Sequence, residues 1–221
     1  MTLLCAYAAI DAVPAHGLGA GAHGEPLEAL AVEDFFVVVG RLAETPGITP
    51  ENLKAQDAAV RRLHAAVQAL LPMRFGETFS GVTELRAALQ DRVESLRAAL
   101  LLVRGCEQMT LRVFGQAAEP EPVPDEKTER PGTRYLRARA HALTPPQLSG
   151  LQQALAPLVH ATRVDRHQAP GLLASVYHLV RRGDGPRYQA VVDGLAPALH
   201  PLRVVCSGVW PAYAFAPEVA E

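Results

Sequence analysis

A glycine-rich segment near the amino terminus has the spacing to bind a phosphate group. Residues Gly19–Gly24 read Gly-Ala-Gly-Ala-His-Gly, which fits a dinucleotide-binding fingerprint. That fingerprint works when its glycines join a strand directly to a helix whose amino terminus faces the pyrophosphate. Here Pro14 and several other residues separate the glycines from the preceding apolar run, and Glu25-Pro26 leads into a segment of extended character. We therefore interpret the segment as a loop and predict no nucleotide cofactor.

Cysteine and histidine are the other residues with catalytic or metal-binding chemistry. The three cysteines, Cys5, Cys106 and Cys206, form no Cys-x-x-Cys pair, and the eight histidines show no His-x-x-x-His spacing. Because those spacings mark zinc and redox sites, we predict no metal site. Cys106 could act as a nucleophile, but no base lies beside it in the sequence, and we interpret it as structural. A small α+β enzyme using Cys106 or the glycine loop, or a ligand-sensing module, is the alternative to a binding protein.

Composition narrows the class of partner. Hydrophobic residues make up 49% of the 221 residues and charged residues 20%, the balance of a globular protein. The formal net charge is −2, without the basic excess typical of nucleic-acid binding or of polybasic membrane binding. The odd number of cysteines favours a reducing, intracellular compartment. The amino terminus lacks a basic region typical of a signal peptide, and the longest apolar run, between Arg97 and Arg104, is too short to span a bilayer.

Hydrophobic periodicity predicts an α+β fold in the first half of the chain. Apolar and β-branched runs predict strands at 3–10, 27–32, 35–39 and 109–114. Thr49-Pro50 should begin a helix that ends at Pro72. A longer helix is expected over 81–104, with one apolar stripe at three- and four-residue steps. The stripe consists of Val82, Leu85, Leu89, Val93, Leu96, Leu100 and Val103.

The second half follows a segment rich in proline and acidic residues. Residues 116–131 cannot bury enough apolar surface to offset their ordering entropy, so we predict a linker between domains at 1–115 and 132–221. Beyond it, we expect helices at 134–143, from Thr144, and from Asp184 to Leu199. Strands are expected at 163–167, 172–180 and 202–206. This order suits a small ferredoxin-like or related sheet.

Arginines recur in groups that have two interpretations. Arg130, Arg134 and Arg137 follow helical steps, while Arg61-Arg62 and Arg181-Arg182 are adjacent pairs. Such groups either form a solvated surface paired with acids, which contributes little stability, or provide a docking surface for an acidic partner.

Two short motifs carry a resemblance to a known family. Leu71–Gly76 reads Leu-Pro-Met-Arg-Phe-Gly, and Trp210–Phe215 reads Trp-Pro-Ala-Tyr-Ala-Phe. Together they resemble the gas vesicle protein F/L family (GvpF/GvpL). Further agreement comes from Tyr7 in the first strand, Asn52-Leu53 at a helix start, Glu107 before a strand, and the pattern Gly-x-x-Tyr-Leu-x-x-Arg at 132–139. The chain departs from the family pattern at Val209 and Ala212, where prolines are usual, and at Gln56, where histidine is common.

The resemblance implies a non-enzymatic protein of two domains, an amino-terminal ferredoxin-like α+β domain and a carboxy-terminal α+β domain with helices. It implies a minor component or accessory factor of gas vesicles, located in the vesicle and the cytoplasm. The implied partners are the hydrophobic shell protein and other gas vesicle proteins, with no cofactor, nucleic acid or membrane. The candidate interaction or family-motif residues are Arg74, Phe75, Gly76, Arg134, Tyr135, Arg137, Trp210, Tyr213 and Phe215.

The roles of the motif residues stay open at this point. Trp210, Tyr213 and Phe215 either form an interface, since tryptophan and tyrosine dominate interface energetics, or fold back to close the carboxy-terminal core. We favour core closure for Trp210. Arg74 is either an interaction residue or a buried ion-pair or capping residue between two helices.

Overall fold

The computed structural model describes residues 2–115, 148–167 and 171–217. The chain forms two compact units, unit 1 from Met1–Gln108 with Val209–Glu221, and unit 2 from Met109–Gly208. The predicted linker at 116–131 and the predicted helix at 134–143 lie outside the described residues, so the domain limits at 115 and 132 stay a prediction. Both units combine strands and helices, which confirms the α+β class.

Five strands of unit 1 form one sheet. They are β1 (Leu3–Ile10), β2 (Leu27–Val32), β3 (Phe35–Leu42), β4 (Leu70–Pro72) and β5 (Thr78–Phe79). Their order is β2-β3-β1-β4, and β5 also pairs with β1. All of these pairings are antiparallel. A hairpin joins β2 to β3 at Glu33-Asp34, with Glu33 at a φ of 50°.

β1 is the centre of this sheet. It is buried on both faces, as its continuous apolar sequence predicts. β3 covers one edge, while β4 pairs with Ala8–Ile10 and β5 with Leu4-Cys5 along the other. The register with β3 shifts between Ala6 and Ala8, so Tyr7 is the extra residue of a bulge.

The first long helix, α1 (Pro50–Ala66), begins as predicted and ends earlier than predicted. The Thr49 hydroxyl accepts a hydrogen bond from the Asn52 amide at 3.2 Å, and Pro50 occupies the first turn. The helix stops at Ala66 because Leu70–Pro72 pairs with β1 instead of continuing the helix. The free edge of a buried strand needs hydrogen-bond partners, and this requirement overrides the helical periodicity of the segment.

The second helical region is divided. Helices α2 (Val82–Leu89) and α3 (Val93–Val103) are separated by a 3-10 turn at Gln90–Arg92, where we had predicted one continuous helix. The predicted stripe is otherwise confirmed, because every member after Val82 is buried.

Arg97 on α3 ties the helix to the β2–β3 hairpin. Its guanidinium group donates to Asp34 at 2.9 and 3.0 Å, to Glu33 at 2.7 Å and to Glu94 at 2.6 Å. This cluster holds three acids around one cation on the surface of unit 1.

Unit 2 contains a second sheet. Its elements are β6 (Cys106–Phe114), α4 (Ser149–Leu155), β7 (Val159–Arg166), β8 (Leu172–Arg181), α5 (Gly185–Leu195) and β9 (Arg203–Trp210). The strand order is β7-β8-β6-β9, and a 3-10 turn at Ala196–Leu199 extends α5. The unit limits fall inside β6 and β9, so the first three residues of β6 and the last two of β9 are counted with unit 1.

The ferredoxin-like arrangement expected for the first domain stays a prediction. Unit 1 begins strand-strand-strand-helix, with the glycine-rich loop where a ferredoxin-like βαββαβ unit has its first helix. The described elements of unit 2 do follow the order β-α-β-β-α-β, with the strand order 2-3-1-4 when its strands are renumbered from β6.

A buried histidine and tyrosine are paired in the core of unit 2. His178 on β8 and Tyr188 on α5 are both buried, and the His178 Nδ1 lies 2.7 Å from the Tyr188 hydroxyl oxygen. Burial lowers the pKa of His178 to about 4, so the imidazole is neutral at physiological pH.

We predict that this histidine makes unit 2 less stable in acid. Between pH 4 and 6.5 the unfolded chain binds a proton that the folded chain excludes, so stability is lost as the pH falls through this window. The loss should reach about 3 kcal/mol near pH 4. Urea unfolding at pH 4.5 and 7, followed by circular dichroism, measures it. His178→Gln keeps an acceptor for Tyr188 and should flatten this part of the pH dependence; equal slopes in both proteins would contradict the assignment.

Candidate functional site

The carboxy-terminal segment packs on unit 1. After β9 ends at Trp210, the buried Pro211 and Ala212 lead into a 3-10 turn at Tyr213–Phe215. This turn contacts β4, and neighbouring side chains reach α1. We call Val209–Pro217 the tail, and the surface of α1 and β4 beneath it the tail groove.

A pair of charged residues on α1 holds the tail by hydrogen bonds. Asp57 and Arg61 are four residues apart, so they share one helix face, and their Oδ2 and Nε atoms are 2.6 Å apart. The Tyr213 hydroxyl donates to the other Asp57 oxygen, Oδ1, at 2.8 Å. Burial and this bond raise the pKa of Tyr213, so the hydroxyl stays a donor at neutral pH.

Arg61 contacts the tail in two further ways. Its Nη1 donates to the Val209 carbonyl oxygen at 3.2 Å. Its guanidinium carbon lies 4.2 Å from the centre of the Trp210 ring, which is cation–π geometry. One arginine therefore contacts an acid, a backbone carbonyl and an aromatic face, as a planar guanidinium can.

A third anchor comes from the start of β6. Gln108 is buried, and its Oε1 accepts a hydrogen bond from the Ala214 amide at 2.8 Å. The tail is thus attached at Val209, Trp210, Tyr213 and Ala214.

The Leu71–Gly76 motif is an excursion between two short strands. The chain leaves β4, and Met73 donates its amide to the Tyr7 carbonyl at 2.9 Å. A turn follows in which the Glu77 amide donates to the Arg74 carbonyl at 3.2 Å. Gly76 has a φ of 73°, the conformation that a type II turn requires at this position. The chain then rejoins β1 as β5.

Arg74 at the tip of this turn is exposed. The interpretation of Arg74 as a buried ion-pair residue between two helices is therefore wrong, because the segment is a strand edge and a turn. Phe75 and Gly76 are half-buried beside it. Trp210 also differs from expectation, since it packs on Arg61 of unit 1 and not in the core of unit 2.

The two motifs meet in unit 1. Leu71-Pro72 of the first motif belongs to β4, which the Tyr213–Phe215 turn of the second motif contacts. Three other candidate residues, Arg134, Tyr135 and Arg137, lie outside the described residues.

Exposed apolar side chains lie at the start of α1 and in the tail. Leu53 precedes Asp57 by four residues on the same face of α1 and is 43% exposed. Ile48, just before the helix, is 84% exposed, and Val209 and Tyr213 of the tail are each about two-fifths exposed. We call Ile48, Leu53, Val209 and Tyr213 the apolar margin.

The glycine-rich loop is filled by the protein's own side chains. Glu25 is buried and accepts hydrogen bonds from the Tyr7 hydroxyl and the His23 amide. The Ala22 amide donates to the Tyr7 oxygen at 2.8 Å. A Cβ placed on Gly21 would lie 2.0 Å from Glu25 Oε1, so glycine is needed for this packing. The Ala22 and His23 amides are thus bonded to Tyr7 and Glu25, and the Glu25 carboxylate lies against Gly21.

One histidine lies close to the backbone of Cys106, and the pKa values of the Cys5 and Cys206 thiols are raised. His64 Nε2 contacts the Cys106 carbonyl oxygen at 3.3 Å. Burial raises the pKa of Cys5 and of Cys206 to about 11, which disfavours the thiolate. Among the residues that the structure covers, no three histidine, cysteine or carboxylate side chains are grouped to hold a metal ion. No helix in the described part has the length and apolar character to cross a membrane.

Sequence reasoning missed the partners of the tail. Asp57 and Gln108 were not candidates, and Arg61 was considered only with Arg62, as part of either a solvated surface paired with acids or a docking surface for an acidic partner. Arg62 also contacts its own unit, because it donates to the Ala20 carbonyl. The four-residue spacing of Asp57 and Arg61 was the available signal, but it does not identify a tyrosine 156 residues away.

Comparisons with known proteins found one matching family model and similar solved structures. One family model, described as gas vesicle synthesis protein GvpL/GvpF, matches residues 4–217. The crystal structure of GvpF from Anabaena sp. PCC7120 is similar, with a TM-score of 0.73 and 15% identity over 99% of this chain and 97% of that chain. GvpF from Microcystis aeruginosa also has a TM-score of 0.73, with 13% identity over 98% and 99% of the two chains. Among curated proteins, none matches the chain in sequence.

We predict that Arg61→Met loosens the tail. The substitution removes the ion pair, the bond to the Val209 carbonyl and the cation–π contact, at a cost of about 1 kcal/mol for these half-exposed interactions. Trp210 is the single tryptophan, so intrinsic fluorescence reports the tail directly. Its emission should move to longer wavelength as the ring gains solvent.

Arg62→Met is the matched control, because this neighbour contacts the Ala20 carbonyl instead of the tail. Its tryptophan emission should equal that of the wild type. Identical spectra for both variants would show that Arg61 does not hold the tail.

Proposed function

The chain belongs to the GvpL/GvpF family of gas vesicle synthesis proteins, as its two motifs predicted, and we propose that it is a non-enzymatic gas vesicle assembly factor. In this proposal it binds the hydrophobic shell protein and other gas vesicle proteins while a vesicle forms. It acts in the cytoplasm and at the vesicle, through the apolar margin and the tail of unit 1.

The observation that carries the proposal is the meeting of the two family motifs in unit 1. Residues of the Leu71–Gly76 motif lie under the tail, and the tail is anchored by Asp57 and Arg61. A structural anchor alone would bury the aromatic side chains, yet Tyr213 is 40% exposed. We infer that the contacts of Asp57 and Arg61 hold the tail residues of the apolar margin in place at the surface.

The chemistry of this surface suits an apolar protein partner. Interface hot spots are enriched in tryptophan, tyrosine and arginine, and Trp210, Tyr213 and Arg61 lie together here. Exposed apolar patches are typical of interaction sites, and the apolar margin supplies four exposed apolar side chains. A shell protein that aggregates when free needs such a surface to hold it before assembly.

The occupied glycine loop and the protonated thiols support the non-enzymatic interpretation. The loop offers its amides to Tyr7 and Glu25, and the thiols of Cys5 and Cys206 are held in their less reactive form. Because Cys106 is buried and we interpret it as structural, Cys106→Ala should leave vesicle formation intact.

We predict that Leu53→Glu weakens shell-protein binding without unfolding unit 1. A charge at this exposed position opposes burial of the apolar margin, and we expect retention of the shell protein to fall about tenfold, or about 1.4 kcal/mol. A pull-down with the purified shell protein measures the change, and thermal unfolding should be unaltered.

Leu101→Glu is the matched control. Leu101 is 64% exposed on α3, outside the apolar margin, and its substitution should leave binding unchanged. Equal loss in both variants, or none in either, would contradict the apolar margin as the binding surface. Normal vesicles in a strain lacking the gene would contradict the assembly role itself.

A further inference from the structure

The two described sheets have four outer edges, and three of them carry features that discourage pairing with another strand. β2 carries Glu28, β7 carries three charged residues, and the edge formed by β4 and β5 consists of strands of three and two residues. Charged side chains and short length are ways in which proteins protect an open sheet edge. β9 is the exception, because it has eight residues and carries no charge from Val204 to Trp210.

The outer edge of β9 is accessible. None of the eight residues of this strand is buried. Val204 and Cys206 are half-buried against the core of unit 2, whereas Val205, on the other face of the strand, is 38% exposed. β6 pairs with one edge of β9, and none of the described strands pairs with the other. On that side, alternate residues therefore direct backbone N–H and C=O groups away from the sheet.

The accessible part of the edge lies in unit 2. Arg61 donates to the Val209 carbonyl at 3.2 Å, so this carbonyl already has a partner. Val209 and Trp210 are also counted with unit 1, whereas Arg203–Gly208 is counted with unit 2. We call the outer edge of Arg203–Gly208 the open edge.

We propose that the open edge pairs with the open edge of a second copy of this chain, in antiparallel orientation. The two four-stranded sheets then form one continuous sheet, with the strand order β7-β8-β6-β9-β9-β6-β8-β7. This self-association goes beyond the assembly role and does not depend on binding of the shell protein to the apolar margin.

The chemistry of the open edge selects the occupant. Backbone groups along a sheet edge are satisfied by an extended strand, which adds to the sheet. Because β9 has no charge beyond Arg203, a charged incoming strand would find no counter-charge across the pair. β9 of a second copy is extended and uncharged over this length, and its own edge needs the same partners. Pairing of two copies therefore protects two open edges in one contact.

The position of Arg203 favours the antiparallel orientation. Arg203 is the first residue of β9, and its guanidinium carbon lies 4.4 Å from the centre of the Phe114 ring. A parallel pair would place the two arginines side by side, and like charges at opposed positions are destabilising. An antiparallel pair separates them to opposite ends and brings the uncharged central residues together. A two-fold axis perpendicular to the sheet generates this arrangement, and two-fold dimers are the commonest homo-oligomers.

The full-length wild-type protein tests the pairing without any substitution. Sedimentation over a concentration series should show a monomer–dimer equilibrium. As the dimer forms, backbone amides of Arg203–Gly208 should exchange with solvent at least about tenfold more slowly, because the new strand pair protects them. Amides of β7, at the opposite edge of the same sheet, should exchange as they do in the monomer. A dimer without added protection of β9 would overturn the proposal.

Charge substitutions at Val205 test the strand pair directly. Val205→Lys and Val205→Glu each place like charges across the pair, so each variant alone should have a dimer dissociation constant at least about tenfold higher. An equimolar mixture brings lysine of one copy near glutamate of the other, and the dimer should return. Position 205 is exposed enough to accept both side chains, and circular dichroism checks that each variant is folded.

Thr162→Lys and Thr162→Glu are the matched controls, because Thr162 is exposed on β7 at the far edge of the same sheet. Neither control should change dimerisation, alone or in the mixture. If a Val205 variant does not fold, the exchange measurement on the wild type decides. Dimers that persist in both folded Val205 variants alone would contradict pairing through this edge. A wild-type protein that stays monomeric, yet loses shell-protein binding on Val205→Lys, would show that the edge takes a strand of another protein and not of a second copy.

Discussion

The hydrogen-bonding requirement of one buried strand shapes unit 1. β1 is apolar on both faces and has no access to water, so its backbone must find partners along both edges. β3 satisfies one edge, but the other is divided between β4 and β5. The chain between them must leave the sheet and return, and that excursion is the Arg74–Glu77 turn. The same requirement ends α1 at Ala66 and places β4 where the tail can contact it.

The sequence predicted the elements that depend on local signals. Continuous apolar runs identified β1, β2, β3 and β8, and Thr49 with Pro50 identified the start of α1 within its first turn. The end of α1 could not be predicted, because Leu70-Leu71 continues the apolar periodicity of the helix. In the structure, the backbone of these residues pairs with β1 instead. The 3-10 turn at Gln90–Arg92 could not be predicted either, because it contains no proline or glycine.

Only part of the candidate site could be predicted from the sequence, for a related reason. Unusual composition singled out Trp210, Tyr213 and Phe215, because aromatic residues are only 5% of the chain. Their partners Asp57, Arg61 and Gln108 are ordinary surface or strand residues in sequence, and only the fold brings them to the tail. The glycine loop presents the opposite case, since its motif spacing matched but the enclosed space belongs to Tyr7 and Glu25.

The two segments of unit 1 are translated at different times. In the sequence, Met109–Gly208 separates the two segments of unit 1, so a ribosome completes all of it before it makes Val209 and the residues that follow. At typical translation rates that interval is on the order of ten seconds. Throughout it, α1 and β4 can fold while Asp57, Arg61 and Gln108 have no tail to bind. The nascent protein therefore passes through a stage with an open groove on every round of translation, during which a cotranslational partner would meet no competitor.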